Sequence, residues 1–85
     1  VSYISNEHTA SNGWQTIEFA DDYRNITISN DDDTDALNVK LNDMSNDTIV
    51  IKAGEVIALA VHVTRYFYQA AAGTPVFRVM CDGTN

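Results

Sequence analysis

Eighty-five residues suffice for one domain with one modest core, since a chain of this size buries roughly 60–65% of the surface its unfolded form exposes. Twelve acidic residues against five basic ones give a net charge of −7. With no Lys/Arg cluster, that charge argues against nucleic acid and against an anionic membrane surface as partners. A hydrophobic share of 45% argues against disorder, and the single cysteine, Cys81, has no intrachain disulfide partner, which favours folding in a reducing cytoplasm.

No apolar run approaches the ~18–20 residues of a membrane span, and no stretch reads as a signal peptide. The opening at Val1 fits removal of an initiator methionine or cleavage of something longer. Residues 1–11 are polar and weakly patterned. Tyr3 and Ile4 could anchor a brief strand there, or an N-terminal arm laid against a neighbour. Asn12-Gly13 signals a turn, and Trp14 after it is expected to plug one end of the core.

Residues 15–20 alternate, with Ile17 and Phe19 on one side, and predict a strand. Asp21-Asp22 makes the next turn. Residues 25–30 form a strand with Ile26 and Ile28 inward. After the polar loop 30–35 (NDDDTD), residues 36–42 form another, with Leu37, Val39 and Leu41 inward. These two runs read as an antiparallel hairpin. Asn42 to Asp47 is a polar turn, with Met44 either a plug or an exposed contact.

The most regular stretch is residues 48–63, TIVIKAGEVIALAVHV. Ile49 and Ile51, then Ile57, Leu59, Val61 and Val63, recur at every second position, flanking a turn at Lys52-Ala53-Gly54-Glu55. It reads as a hairpin at the centre of the sheet, with Gly54 supplying a positive φ. Its second strand continues into Tyr66-Phe67-Tyr68 or bends there. A small-residue loop (QAAAGT) follows, Pro75 opens the last strand, and Phe77, Val79 and Cys81 face in. The predicted fold is all-β: one domain over residues 1–85, a small antiparallel β-sandwich or jelly-roll-like barrel of about six to seven strands.

Catalytic chemistry has no convergent set in this sequence. His8 and His62 lack Cys, His or Glu neighbours at ligand spacing and read as surface or partly packed histidines. Asp31, Asp33 and Asp35 alternate as calcium ligands can. However, the sixth and twelfth positions of an EF-hand counted from Asp31 hold Ala36 and Asn42, so a solvated loop is the expected role. The sequons at Asn25 and Asn46 are given no role. Cys81, alternating with Phe77 and Val79, reads as a buried small hydrophobe. No cofactor, no metal and no enzyme activity is expected. If Phe67 faces in, Tyr66 and Tyr68 face out, where they could serve an interface or stack on sugar rings.

The order of parts, NITISNDDDTDALNVKL leading into TIVIKAGEVIALAV, then an aromatic strand, AAAGTPV and a final strand, resembles small structural proteins of tailed-phage virions. The likeness is in particular to head-decoration (cement) proteins and to the spike-base proteins of phage-like gene transfer agents, although Ala70 to Ala72 stand where the latter carry a Thr-rich loop. The resemblance implies a non-enzymatic virion protein, made in the host cytoplasm, that binds the outer capsid surface and stabilises the shell. Its partners would be the major capsid protein and further copies of itself, touched through Tyr3, Ile4, Tyr66 and Tyr68. The alternatives are a small ligand-binding module, carbohydrate being the favoured ligand, and a fibre or tail accessory protein.

Overall fold

The structure, a computed structural model, describes residues 3–84. It contains eight strands: β1 (Tyr3–Thr9), β2 (Gln15–Tyr23), β3 (Asn25–Asn30), β4 (Leu37–Leu41), β5 (Ile49–Ile51), β6 (Val56–Leu59), β7 (Val63–Ala70) and β8 (Val76–Asp82). They form two four-stranded antiparallel sheets, ordered β1-β8-β3-β6 and β2-β7-β4-β5, packed face to face as an antiparallel sandwich. The expected all-β class is what the chain adopts. The count exceeds the expected six to seven because residues 3–9 form a full strand that pairs along β8 and because a break after Leu59 separates β6 from β7.

The inward positions follow the period-two pattern. Ile26 and Ile28, Leu37 and Val39, and Phe77, Val79 and Cys81 are all buried in one core. Asn30 is the buried polar exception. Its amide donates to the carbonyls of Asp35 and Ile51, both at 3.0 Å, and its Oδ1 accepts the Asp32 N–H at 3.1 Å. One satisfied side chain thereby ties the end of β3, in one sheet, to β5, in the other.

The pairing differs from expectation. Residues 48–63 are not a central hairpin: β5 and β6 lie at the edges of different sheets. The Lys52–Glu55 turn forms as predicted, with the Glu55 N–H on the Lys52 carbonyl at 3.0 Å and Gly54 at φ 75°. It nevertheless carries the chain across the sandwich. The loop 30–35 likewise crosses between sheets, so β3 and β4 are not a hairpin either. Alternation reports which face of a strand meets the core; it does not report the neighbour, and strands in opposite layers point at the same core. The sheet centres are β8 and β3 in one layer and β7 and β4 in the other.

Corners explain the remaining differences. β2 runs through Asp21 and Asp22 to Tyr23, with a register shift against β7 between Glu18 and Tyr23, and the chain turns at Arg24 instead. A bulged strand bends, which suits a place where the chain leaves one sheet for the other. Val61 lies in the irregular crossing after β6 and is exposed. Trp14 is half-buried on the outside of the β2 sheet under the Lys40 ammonium, 5.5 Å from the ring centroid, rather than plugging the core.

Candidate functional site

The two outer faces of the sandwich differ in chemistry. On the β1-β8-β3-β6 sheet, register lines up Glu7, Arg78, Ser29 and Val56 in one row and Ser5, Met80, Thr27 and Ala58 in the next. Val76 and Tyr3 lie at the ends of this surface. Tyr3, Val56 and Met80 are 68%, 58% and 53% exposed. Arg78 is the one cation in the two rows, and it is neutralised in place: its Nε donates to Asp31 at 2.7 Å, and Ser29 Oγ donates to the same carboxylate. Those bonds hold the Asp31 carboxyl below the usual range, the guanidinium contact contributing most. An internally paired charge therefore stands between Val76 and Met80 on this surface. Thr27, Ser29, Val56, Arg78 and Met80 enclose an open recess of about 170 Å³. That is below the ~300–1,000 Å³ of typical small-molecule pockets and suits one protruding side chain better than a cofactor.

The opposite face is polar. Glu18 and Arg65 pair at 3.6 Å, Lys40 covers Trp14, and Val50 is the exposed large apolar residue of its four strands. Phe67, which points to this side, is 8% exposed.

Between the sheets lies an aromatic cluster. Tyr66 and Tyr68 belong to it, and their expected outward orientation is corrected: they are 0% and 8% exposed. Val63 and Tyr66 are both buried although three residues apart, so the alternation slips by one between them. A slip of one residue sends every later side chain to the other face. Phe67 is the outward member instead. His8, on the inner side of β1, stacks on Tyr68 (centroids 5.1 Å, 23°), packs against Phe77 at 5.4 Å, and shares a 2.7 Å hydrogen bond between Nε2 and Tyr66 Oη. The Asn6 side chain also hydrogen-bonds Tyr66. Burial lowers the His8 pKa and raises that of Tyr66, so both are neutral near pH 7.

Of the four residues expected to touch a partner, Tyr3 stands on the outer surface. Ile4 turns inward and packs against the core, as do Tyr66 and Tyr68. Val56, Val76 and Met80 were not singled out in the sequence. Their signal was present: β8 alternates Phe77, Val79 and Cys81 inward, yet also carries Val76 and Met80 outward, so it is apolar on both faces. The acidic loop disperses its carboxylates. Asp31 binds Arg78, and Asp32 accepts from the backbone of Thr34 and Asp35. Among the described residues no three His, Cys, Asp or Glu side chains converge as metal ligands. His62 pairs with Asp22 at 3.2 Å on the surface. Cys81 is buried, and burial pushes its thiol up to about 12, which removes thiolate character at neutral pH.

No protein-family model and no curated protein matches the chain. Several solved structures share its fold. An ethanolamine utilization protein Q from Salmonella typhimurium LT2 superposes with a TM-score of 0.57 at 16% identity over 100% of this chain, which spans 61% of that protein. A cupin-2 domain protein from Shewanella frigidimarina NCIMB 400 gives 0.56 at 14% identity, covering 93% of this chain and 69% of that one. A chain from the disulfide-linked pili of Bacillus endospore appendages gives 0.56 at 15% identity, covering 95% of this chain and 85% of that one. At such identities the likeness is one of fold, a cupin-like, jelly-roll type of sandwich.

Proposed function

We propose that the protein is a non-enzymatic structural component that docks through the outer face of the β1-β8-β3-β6 sheet onto a repeating protein surface, and that this surface is the outside of a phage capsid. The observation that carries the docking reading is the asymmetry between the faces: Tyr3, Val56, Val76 and Met80 all stand exposed on one, and Val50 is the exposed large apolar residue of the other. Single exposed apolar residues need no explanation; their concentration on one sheet face favours that face as the interaction surface. The choice of a capsid rests on the resemblance in the order of parts. The fibre alternative is supported by the fold-level likeness to the endospore pilus chain, which this chain nearly spans. The carbohydrate reading has lost its carrier, since the tyrosines that would stack on a sugar are in the core.

The test is cosedimentation of the chain with shells of the virus that encodes it. Binding is expected, and Met80→Glu should weaken it by about thirtyfold, the size of a hot-spot loss. Val50→Glu on the opposite face should leave it unchanged. No binding to shells, or equal loss from both substitutions, rejects the reading. Capture by a filament rather than a shell would move the assignment to the fibre class.

A further inference from the structure

The sandwich has four edge strands, and three of them are protected. β5 has three residues and β6 four. β2 is bent by its register shift and carries Glu18, Asp21 and Asp22. Short length, bulges and charge are the usual means of preventing edge-to-edge association. β1 is the least protected: it pairs with β8 in unbroken register over seven residues, lacks proline and lysine, and carries Glu7 as its single charge.

The direction of its free hydrogen-bonding groups follows from one bond. The Ala10 N–H donates to the Pro75 carbonyl at 2.9 Å, one step beyond the Thr9–Val76 pair. In an antiparallel ladder alternate residues exchange bonds with the neighbour. Ile4, Asn6 and His8 therefore turn their backbone groups to β8. Tyr3, Ser5, Glu7 and Thr9 turn theirs to the open edge.

We infer that β1 is a self-pairing edge: two copies join their β1 strands antiparallel about a two-fold axis at Asn6, making one eight-stranded sheet. In that register Tyr3 meets Thr9 and Ser5 meets Glu7, so the outward-turned groups of each strand find partners. No like charges oppose each other. Sliding by two residues in one direction sets Glu7 against Glu7, and in the other it leaves only residues 3–7 paired within the described strand. Charge and length thus select one register, in which β1 is complementary to a second copy of itself. The pairing also sets the outer faces of the two copies side by side in one sheet. It uses the edge, not the face, and stands or falls independently of the capsid reading.

Sedimentation equilibrium of the chain over two decades of concentration tests it. The chain should dimerise, more strongly in high salt, because screening relieves the mutual repulsion of two copies at −7 while no ion pair holds the interface. Ser5→Glu creates two Glu–Glu oppositions per dimer and should weaken association roughly tenfold, while Ser5→Lys should strengthen it by a similar factor. Ser5→Pro removes an edge-facing N–H without touching the β8 ladder, so it should give a folded monomer by circular dichroism. A chain that stays monomeric at all concentrations, or a dimer indifferent to all three substitutions, overturns the proposal.

Discussion

His8 shows how a single residue can be decided by a partner far along the chain. It lies on an edge strand with a polar sequence, yet it is held among Tyr66, Tyr68 and Phe77, and Tyr66 is 58 residues away. Nothing local to residues 3–9 announces that contact, which is why the stretch reads as a loose arm. The consequence is a pH dependence with a definite sign. Burial lowers the His8 pKa in the folded chain below its ordinary 6.5, so the unfolded chain binds the proton more readily. The stability linked to neutral His8 is complete above about pH 6.5 and is lost as pH falls through the folded value. The lowered carboxyls of Asp31 and Asp32 act in a separate window. Their contribution is present above about pH 4 and is lost below it as pH falls through their folded values. Urea midpoints measured from pH 7.5 to 5 should therefore fall, and His8→Gln should flatten that fall; an unchanged slope would remove His8 as its source. Tyr66→Phe keeps the ring and removes the hydroxyl that bridges His8 and Asn6, and should cost about 1–3 kcal/mol in the same assay at pH 7.5. Asn30→Ala strips the amide from the carbonyls of Asp35 and Ile51 and should cost a similar amount.

At the level of elements, the sequence discloses faces well and neighbours poorly. β3 begins and ends where its pattern says, and Leu37, Val39 and Leu41 are inward as expected. The pairing of β3 with β8 and β6 is not inscribed in any of them, because Ile26 looks the same whether its neighbour precedes or follows it. The parity of β7 is lost for a different reason: the slip between Val63 and Tyr66 occurs within a continuous strand, with no glycine or proline to mark it. The connections, by contrast, carry readable chemistry. Gly54 and Gly73 both have positive φ, at 75° and 62°, in loops that cross between sheets. A Cβ at Gly54 would meet open space, so Gly54→Ala should cost only the conformational term, about 1 kcal/mol. A Cβ at Gly73 would overlap the Asp35 carboxylate, so Gly73→Ala should cost clearly more by thermal unfolding. Adding Asp35→Ala to Gly73→Ala should recover the difference, leaving the conformational term. Equal costs for the two glycine substitutions would mean the loop yields to the added methyl.

For the molecule as a whole, topology sets the expectation for folding. Only one of the seven connections, β4 to β5, joins strands that are neighbours in a sheet; the other six cross the sandwich. β1 can find β8 only after nearly the whole chain has been laid down, and the His8–Tyr66 bond and the Asn30 tie each join the two layers. Closing such loops costs chain entropy before any contact returns free energy, so chains built on non-local pairing fold in milliseconds to seconds rather than microseconds. The same interdependence predicts cooperativity, because neither sheet can bury its inner face without the other. Trp14 lies on the outer side of the β2 sheet under Lys40, and its fluorescence reports one local environment, whereas the far-ultraviolet dichroism reports all eight strands. Both signals should trace one urea transition with one midpoint, and stopped-flow refolding should be a single phase slower than about a millisecond. A Trp14 transition preceding the dichroism would mean that the sheet carrying β2 opens before its partner, and that the two layers are less dependent on each other than their shared core implies.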